Sequence, residues 1–200
     1  MASTATPYGL RAVNELGGLP YAGSTRSFLI DPAGYSVNIF NGSIVSVVAT
    51  GYLEIVTTVV SSAGNIFPAG TIGVFVGCSY TNTQGQTVFS QYYPANATNA
   101  VAFVIDDDRT VFQVQAAGTL AQAALGQNAI LNAVQSTSTG STTTGNSTTA
   151  ISISTNTTAT YGLKIVGFVQ STTSTVGDAY TDVLVKFNIG SHAYNTGTGI

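Results

Sequence analysis

The chain has very little charge. Only 6% of its 200 residues are Asp, Glu, Lys or Arg, whereas about 25% is typical of globular proteins. The five cations and eight carboxylates leave a net charge of −3, which provides no broad attraction for phosphates or anionic lipids. We therefore expect neither nucleic acid nor a membrane surface as a partner.

Low charge also bears on association between copies. A free subunit with so few charges has weak electrostatic protection against association. Either neighbouring subunits cover most of its surface, or Ser, Thr, Asn and Gln side chains keep that surface polar, and both explanations apply here. We expect the chain to bind itself, as a homotrimer.

The side chains that most enzymes use are scarce. Cys78 is the only cysteine, which excludes an internal disulfide and a cysteine zinc site. It lies in an apolar run and is predicted to be a small buried hydrophobe. His192 is the only histidine and has no Gly-x-Ser-x-Gly serine to act with, so a surface or interface role is expected. We predict a protein with no catalytic residues, no cofactor and no metal.

Targeting and membrane segments are also lacking. No apolar stretch approaches the roughly 20 residues that span a bilayer. The first residues have neither a basic start nor an apolar run of signal-peptide length. The expectation is a chain made and assembled in a cytoplasm.

What the sequence does have is a succession of short β-branched runs. Ten Tyr and nine Phe favour a folded chain, and turns rich in Gly, Asn, Asp and Pro separate the runs. The pattern predicts a mainly β fold, an antiparallel β-sandwich or barrel. One short helix is predicted over 120–134, capped by Thr119. The predicted strands are 44–48, 52–60, 71–77, 87–93, 101–105, 111–115, 163–170 and 181–187.

Two segments have no strong periodicity. Residues 1–38 are interrupted by Gly and Pro, and are predicted to be an extended N-terminal arm ahead of a β-rich domain at 39–200. The other interpretation is a long loop packed on its own domain. As an arm, the segment would bind a neighbouring subunit or a larger partner through Tyr8, Leu10, Val13, Leu16 and Tyr21. The Ser/Thr-rich stretch 135–160 is predicted to be a mobile or edge loop.

The one concentration of charge is Asp106-Asp107-Asp108. Three carboxylates in a turn could hold calcium, but the spacing lacks the alternating acids and distal glutamate of an EF-hand loop. We predict a solvated hairpin turn between 101–105 and 111–115, in which an Asp carboxylate bonds a backbone amide two residues further on.

Two regions resemble structural proteins of tailed bacteriophages. The Gly-polar-x-Val-x-x-Val strand at 42–48, the turn at Gly51 and the Gly-Thr-Ile-Gly-Val strand at 70–74 resemble the barrel opening of head decoration (cement) proteins. The runs 163–169 and 177–183 look like structural proteins of marine tailed phages. Together they cover about half of the chain.

The resemblance implies a virion structural protein on the capsid exterior. Such proteins bind the major capsid protein where capsomers meet, often as trimers, and brace the shell against internal DNA pressure. The family has no catalytic residues to assign here. A trimer that contacts several capsid subunits gains avidity even when each contact is modest.

Other functions remain open. A tail or fibre protein, or an adhesin that binds a host glycan, could stack sugars on Tyr92 and Tyr93, although strand tyrosines more often belong to a core or an interface. A fibre would be expected to show a repeat or a stalk pattern. A shell subunit, minor or major, is another alternative, and an enzyme comes last because no catalytic set is present.

Overall fold

The computed structural model describes residues 4–57, 67–197 and 199. Those residues form eleven strands and two short 3₁₀ turns, Gln122–Ala124 and Ala193–Asn195. In chain order the strands are β1 (Arg11–Glu15), β2 (Arg26–Leu29), β3 (Ile44–Val47), β4 (Leu53–Ile55), β5 (Thr71–Thr81), β6 (Thr87–Ser90), β7 (Thr98–Ile105), β8 (Thr110–Gln115), β9 (Asn128–Ala129), β10 (Leu163–Phe168) and β11 (Asp182–Phe187).

The strands build two antiparallel sheets that pack together as a β-sandwich. The five-stranded sheet has the order β1-β8-β11-β10-β9, and the six-stranded sheet has the order β2-β7-β5-β3-β4 with β6 added to β5. The predicted mainly β fold is confirmed, and of the two predicted architectures the sandwich is the one found. Each predicted strand overlaps an observed one, although residues 58–60 of the predicted strand 52–60 lie outside the described residues.

The middle of the six-stranded sheet is buried on both faces. Neighbouring residues in a strand point to opposite faces, so Val74 and Ile105 join the core between the sheets, while Phe75 and Val104 join a second core. Ile30, Ile39 and Tyr93, from the connecting segments, complete that second core. A sheet covered on both sides explains why its strands are almost continuously apolar.

The predicted helix over 120–134 is wrong. The segment contains only the 3₁₀ turn, and Asn128–Ala129 instead pairs with β10 at Leu163 and Lys164. Gly126 has a φ of 81° and donates its N–H to the Ile165 carbonyl at 3.0 Å. The backbone bonds of this segment therefore go partly to β10 and partly to residues 150–156, and do not form a helix. Several of its apolar residues are still buried, among them Leu120, Ala124 and Leu131.

The N-terminal segment is extended and belongs to both sheets of its own chain. β1 pairs with β8 at one edge, and β2 pairs with β7 at another. Leu10 is buried in the core between the sheets, and its N–H donates to the Gly42 carbonyl at 2.9 Å. The backbone of this segment thus matches the interpretation in which it packs on its own domain.

The Ser/Thr-rich stretch, predicted to be a mobile or edge loop, has no regular strand and makes hydrogen bonds to the rest of the chain. Gln135 is buried, and its side-chain amide makes hydrogen bonds to backbone groups of Ile44 and Val56. Its Oε1 accepts from the Ile44 N–H at 2.9 Å, and its Nε2 donates to the carbonyls of Ile44 and Val56, both at 3.0 Å. Ile151, in the same stretch, is fully buried in the core between the sheets. Gln135 therefore ties the start of this stretch to the backbone of Ile44 and Val56.

Candidate functional site

A tight hairpin extends from the edge of the five-stranded sheet. After β1 the chain turns back, so that the Glu15 N–H donates to the Leu19 carbonyl at 2.7 Å and the Gly18 N–H donates to the Glu15 carbonyl at 3.0 Å. Gly17 and Gly18 have φ values of 106° and 84°, a region that other residues rarely adopt. The Gly pair is therefore what allows the turn.

The hairpin displays apolar side chains at its tip. Leu16 is 44% exposed and Leu19 is 59% exposed, and Val13 on the strand leading to the tip is also exposed. Polar turn residues are the norm at such a position. We call residues 11–20 the apolar hairpin. An exposed apolar tip held by backbone bonds on both sides suits insertion into an apolar pocket of a partner.

The five residues predicted to bind a partner divide into two groups. Val13 and Leu16 are exposed on the apolar hairpin. The other three contact their own chain: Leu10 is in the core, Tyr8 donates its hydroxyl to Asp182 Oδ1 at 3.1 Å, and Tyr21 packs against the core and donates to the Ser24 carbonyl. Leu19 was missed, although two leucines around a Gly pair were a signal for an apolar turn.

Tyr8 and Asp182 form a small polar cluster with Arg11. Burial raises the pKa of Asp182, while the Tyr8 hydrogen bond and the nearby Arg11 guanidinium oppose that shift. Burial and the same carboxylate also raise the pKa of Tyr8, and Arg11 lies over its ring at 4.5 Å from the centroid. This cluster fixes the chain just before the apolar hairpin.

The acidic turn joins the two sheets, so the predicted hairpin between its flanking strands is wrong. β7 belongs to the six-stranded sheet and β8 to the five-stranded sheet. The predicted carboxylate-to-backbone bond is confirmed, since the Arg109 N–H donates to Asp107 Oδ1 at 2.8 Å. Asp106 is also less solvated than predicted, because its carboxylate pairs with Arg26 at 3.0 Å.

The C-terminal segment is fastened to this turn. The Tyr194 hydroxyl donates to Asp106 Oδ2 at 2.8 Å, and Asn195 Nδ2 donates to Asp108 Oδ2 at 2.8 Å. Arg26 Nη1 donates to the Tyr194 hydroxyl at 2.7 Å. All three aspartates therefore accept a hydrogen bond within the chain. Among the residues that the structure describes, no group of three His, Cys, Asp or Glu side chains is placed to hold a metal ion.

The single histidine and the single cysteine are both buried. His192 packs edge-on against Phe187 and Tyr194, at centroid distances of 5.4 and 5.0 Å, and its Nδ1 accepts from the Tyr194 N–H at 3.3 Å. His192 is 1% exposed, so its predicted place at a surface or interface is wrong, and burial lowers its pKa. Cys78 is buried as predicted, and burial raises the pKa of its thiol to about 12.

The tyrosines considered for sugar stacking have contacts within the chain. Tyr93 is fully buried and its hydroxyl donates to the Ala97 carbonyl at 2.9 Å. Tyr92 stacks on Phe40 at 5.8 Å between centroids. Tyr93 therefore offers no exposed ring for a sugar, while the ring of Tyr92 is partly covered by Phe40.

Comparison with known proteins adds no relative. The chain matches no family model, no curated protein and no solved structure. In the described ranges, 4–57, 67–197 and 199, no helix is long and apolar enough to cross a membrane.

Proposed function

We propose that this chain is a non-catalytic virion structural protein, a capsid decoration (cement) protein that binds the outside of the major capsid protein shell as a homotrimer. The observation that carries the proposal is the apolar hairpin, whose tip presents Leu16 and Leu19 to solvent. The resemblance of residues 42–74 and 163–183 to phage structural proteins supports the same assignment.

The hairpin suits repeated docking to a lattice. Two leucines fill a small pocket, so one contact is weak, but a trimer presents three such tips at a fixed spacing. Once one tip is bound, the others face their pockets at a high effective concentration. Strong attachment to a shell therefore needs no large interface on each subunit.

The direct test uses virus heads that lack this chain. Purified protein is added to the heads, the heads are pelleted, and the bound fraction is measured against concentration. The double variant Leu16→Ser/Leu19→Ser should bind at least about 30-fold more weakly, as expected for removal of a hot spot. Both side chains are exposed, so the fold should be unaffected.

A matched control lies at the opposite edge of the same sheet. Leu125 is exposed to a similar degree just before β9, and Leu125→Ser should bind heads like the wild type. Equal binding by the hairpin variant and the control would contradict docking through the hairpin. Antibody against this chain that labels tails instead of heads in electron micrographs would replace the capsid assignment with the tail or fibre alternative.

A further inference from the structure

The six-stranded sheet carries an exposed apolar surface at the end away from the acidic turn. Leu29 on β2 lies opposite Val101 on β7, which lies opposite Ser79 on β5, which in turn lies opposite Phe89 on β6. Directly paired residues project from the same face. Phe89 is 75% exposed and Leu29 is 59% exposed. We call Leu29, Phe89, Val101 and Phe103 the apolar shelf.

The two aromatic residues of the shelf lean together across a glycine. Phe103 pairs with Gly77, and Phe89 pairs with Ser79 two residues further along β5. The Phe89 and Phe103 rings are stacked, with centroids 6.4 Å apart and planes 10° apart. Gly77 has no side chain, so the only β5 side chain paired with either ring is that of Ser79, beside Phe89. The stack is therefore a preformed flat surface.

The shelf continues the face that forms the core of the sandwich. Val101, Phe103 and Ile105 alternate along β7 with Ala102 and Val104, which point into the second core. Ile105 is buried in the core between the sheets, so Phe103 and Val101 point to the same side as Ile105. The five-stranded sheet covers this face at Ile105 and leaves it partly open at Phe103 and Val101. An apolar sheet face left uncovered marks an interaction site.

We propose that the shelves of neighbouring copies of this chain pack together around a symmetry axis. Around such an axis each side chain lies near its own copies, so a charged residue there would face like charge. β5, β6 and β7, which carry most of the shelf, contain no Asp, Glu, Lys or Arg. The face also already packs against a β-sheet within one subunit, and a second copy supplies a surface of the same kind.

The area of the shelf sets the expected strength of association. An aromatic side chain has roughly 200 Å² of surface, so an exposed fraction of 75% leaves about 150 Å² of Phe89 for contact. Leu29 is exposed to a smaller degree, and Val101 and Phe103 are half-buried, so the shelf provides less than the roughly 800 Å² that each partner contributes to a standard interface. Association should therefore be reversible and visible between about 1 and 100 µM, and stronger where a lattice holds copies side by side.

The test uses the purified chain alone, so it is independent of the proposed capsid function on which the lattice setting rests. Sedimentation velocity over that concentration range should show oligomers for the wild type. Phe89→Ser, and separately Leu29→Ser, should raise the dissociation constant at least about 30-fold. Ile189→Ser is the matched control, because Ile189 is 79% exposed in the turn after β11 and lies outside the shelf. Circular dichroism should show all three variants folded.

The outcomes separate the two proposals. A wild type that stays monomeric at the highest concentration overturns the inference, as does a Phe89→Ser variant that associates like the Ile189→Ser control. If Phe89→Ser leaves self-association intact and weakens binding to heads, the shelf is instead a capsid contact and the decoration function stands. If the wild type self-associates, Phe89→Ser is monomeric and the wild type does not bind virus heads, the inference holds and the decoration function fails.

Discussion

Replacement of Gln135 by leucine should destabilise the fold more than any surface change. Gln135→Leu preserves most of the side-chain volume but removes every hydrogen bond of the amide. The Ile44 N–H loses its acceptor, and the Val56 carbonyl loses a donor. The Ile44 carbonyl still accepts a hydrogen bond from the Val56 N–H at 3.0 Å. The variant therefore leaves two buried backbone groups without these partners.

The magnitude follows from the cost of unsatisfied polar groups. Each buried donor or acceptor that loses its partner costs about 1 to 3 kcal/mol, and two of them cost about 2 to 6 kcal/mol. Burial of leucine instead of an amide offsets part of this, so the free energy of unfolding should fall by about 3 kcal/mol. In a chain of this length that corresponds to a decrease in Tm of about 6 to 12 °C.

The assay is urea denaturation followed by circular dichroism, with calorimetry for Tm. Gln122→Leu, at an exposed position of the 3₁₀ turn, should change the free energy of unfolding by no more than about 0.5 kcal/mol. Gln135→Glu keeps an acceptor for the Ile44 N–H but loses both donated bonds, and should be less stable at neutral pH than in acid. If Gln135→Leu behaves like the Gln122 control, the amide does not hold this region and the reasoning is refuted.

Three further predictions concern charge and exposure. Lys164 and Lys186 lie directly opposite each other on β10 and β11, so Lys186→Glu should stabilise the fold by about 0.2 to 1 kcal/mol. About 1 M salt should remove this gain in stability, and the absence of any gain at low salt would contradict the prediction. Burial raises the pKa of Asp182, so the stabilisation from its protonated form is complete below the usual carboxyl pKa of about 4 and is lost as the pH rises through the raised value. The free energy of unfolding of Asp182→Asn should therefore not fall between pH 4 and 8 in denaturation curves. If the variant and the wild type show the same pH profile, the carboxyl of Asp182 is not the cause of the fall. Because burial raises the pKa of Cys78 to about 12, a thiol reagent at pH 8 should label the unfolded chain and leave the native chain unlabelled; rapid native labelling would show that the thiol is accessible.

The strands could be predicted because their signals are local. The run 44–48 is β-branched and is opened by Asn41-Gly42-Ser43, and the structure has β3 at Ile44–Val47. Alternation along 181–187 places Val183, Val185 and Phe187 on one buried face, as β11 shows. In both cases the side chains and their turns lie within a few residues of each other. Pattern and propensity therefore agree with the fold.

The errors arose where distant residues decide the structure. The apolar spacing over 120–134 resembles a helix, but β10 supplies partners for the backbone at Gly126 and Asn128. The runs on either side of the acidic turn are equally apolar, and nothing local shows that they enter different sheets. His192 is buried because Phe187 and Tyr194 enclose it, which depends on how the last residues fold back. Pairing partners of this kind leave no trace in a short sequence window.

The low charge of the chain can now be traced to two different surfaces. In the stretch 135–160 the hydroxyls satisfy one another and the backbone, as where Ser136 accepts from the Ser138 N–H and Thr139 donates to the Ser136 carbonyl. Such a surface is polar without ions and needs no neighbour. The apolar shelf has no comparable set of hydroxyls, because Phe89 and Leu29 are exposed to solvent and the nearby strand β7 has no charged residue. Hydroxyls therefore explain the low charge of one region, while the proposed packing of a second copy on the shelf would explain it in the other.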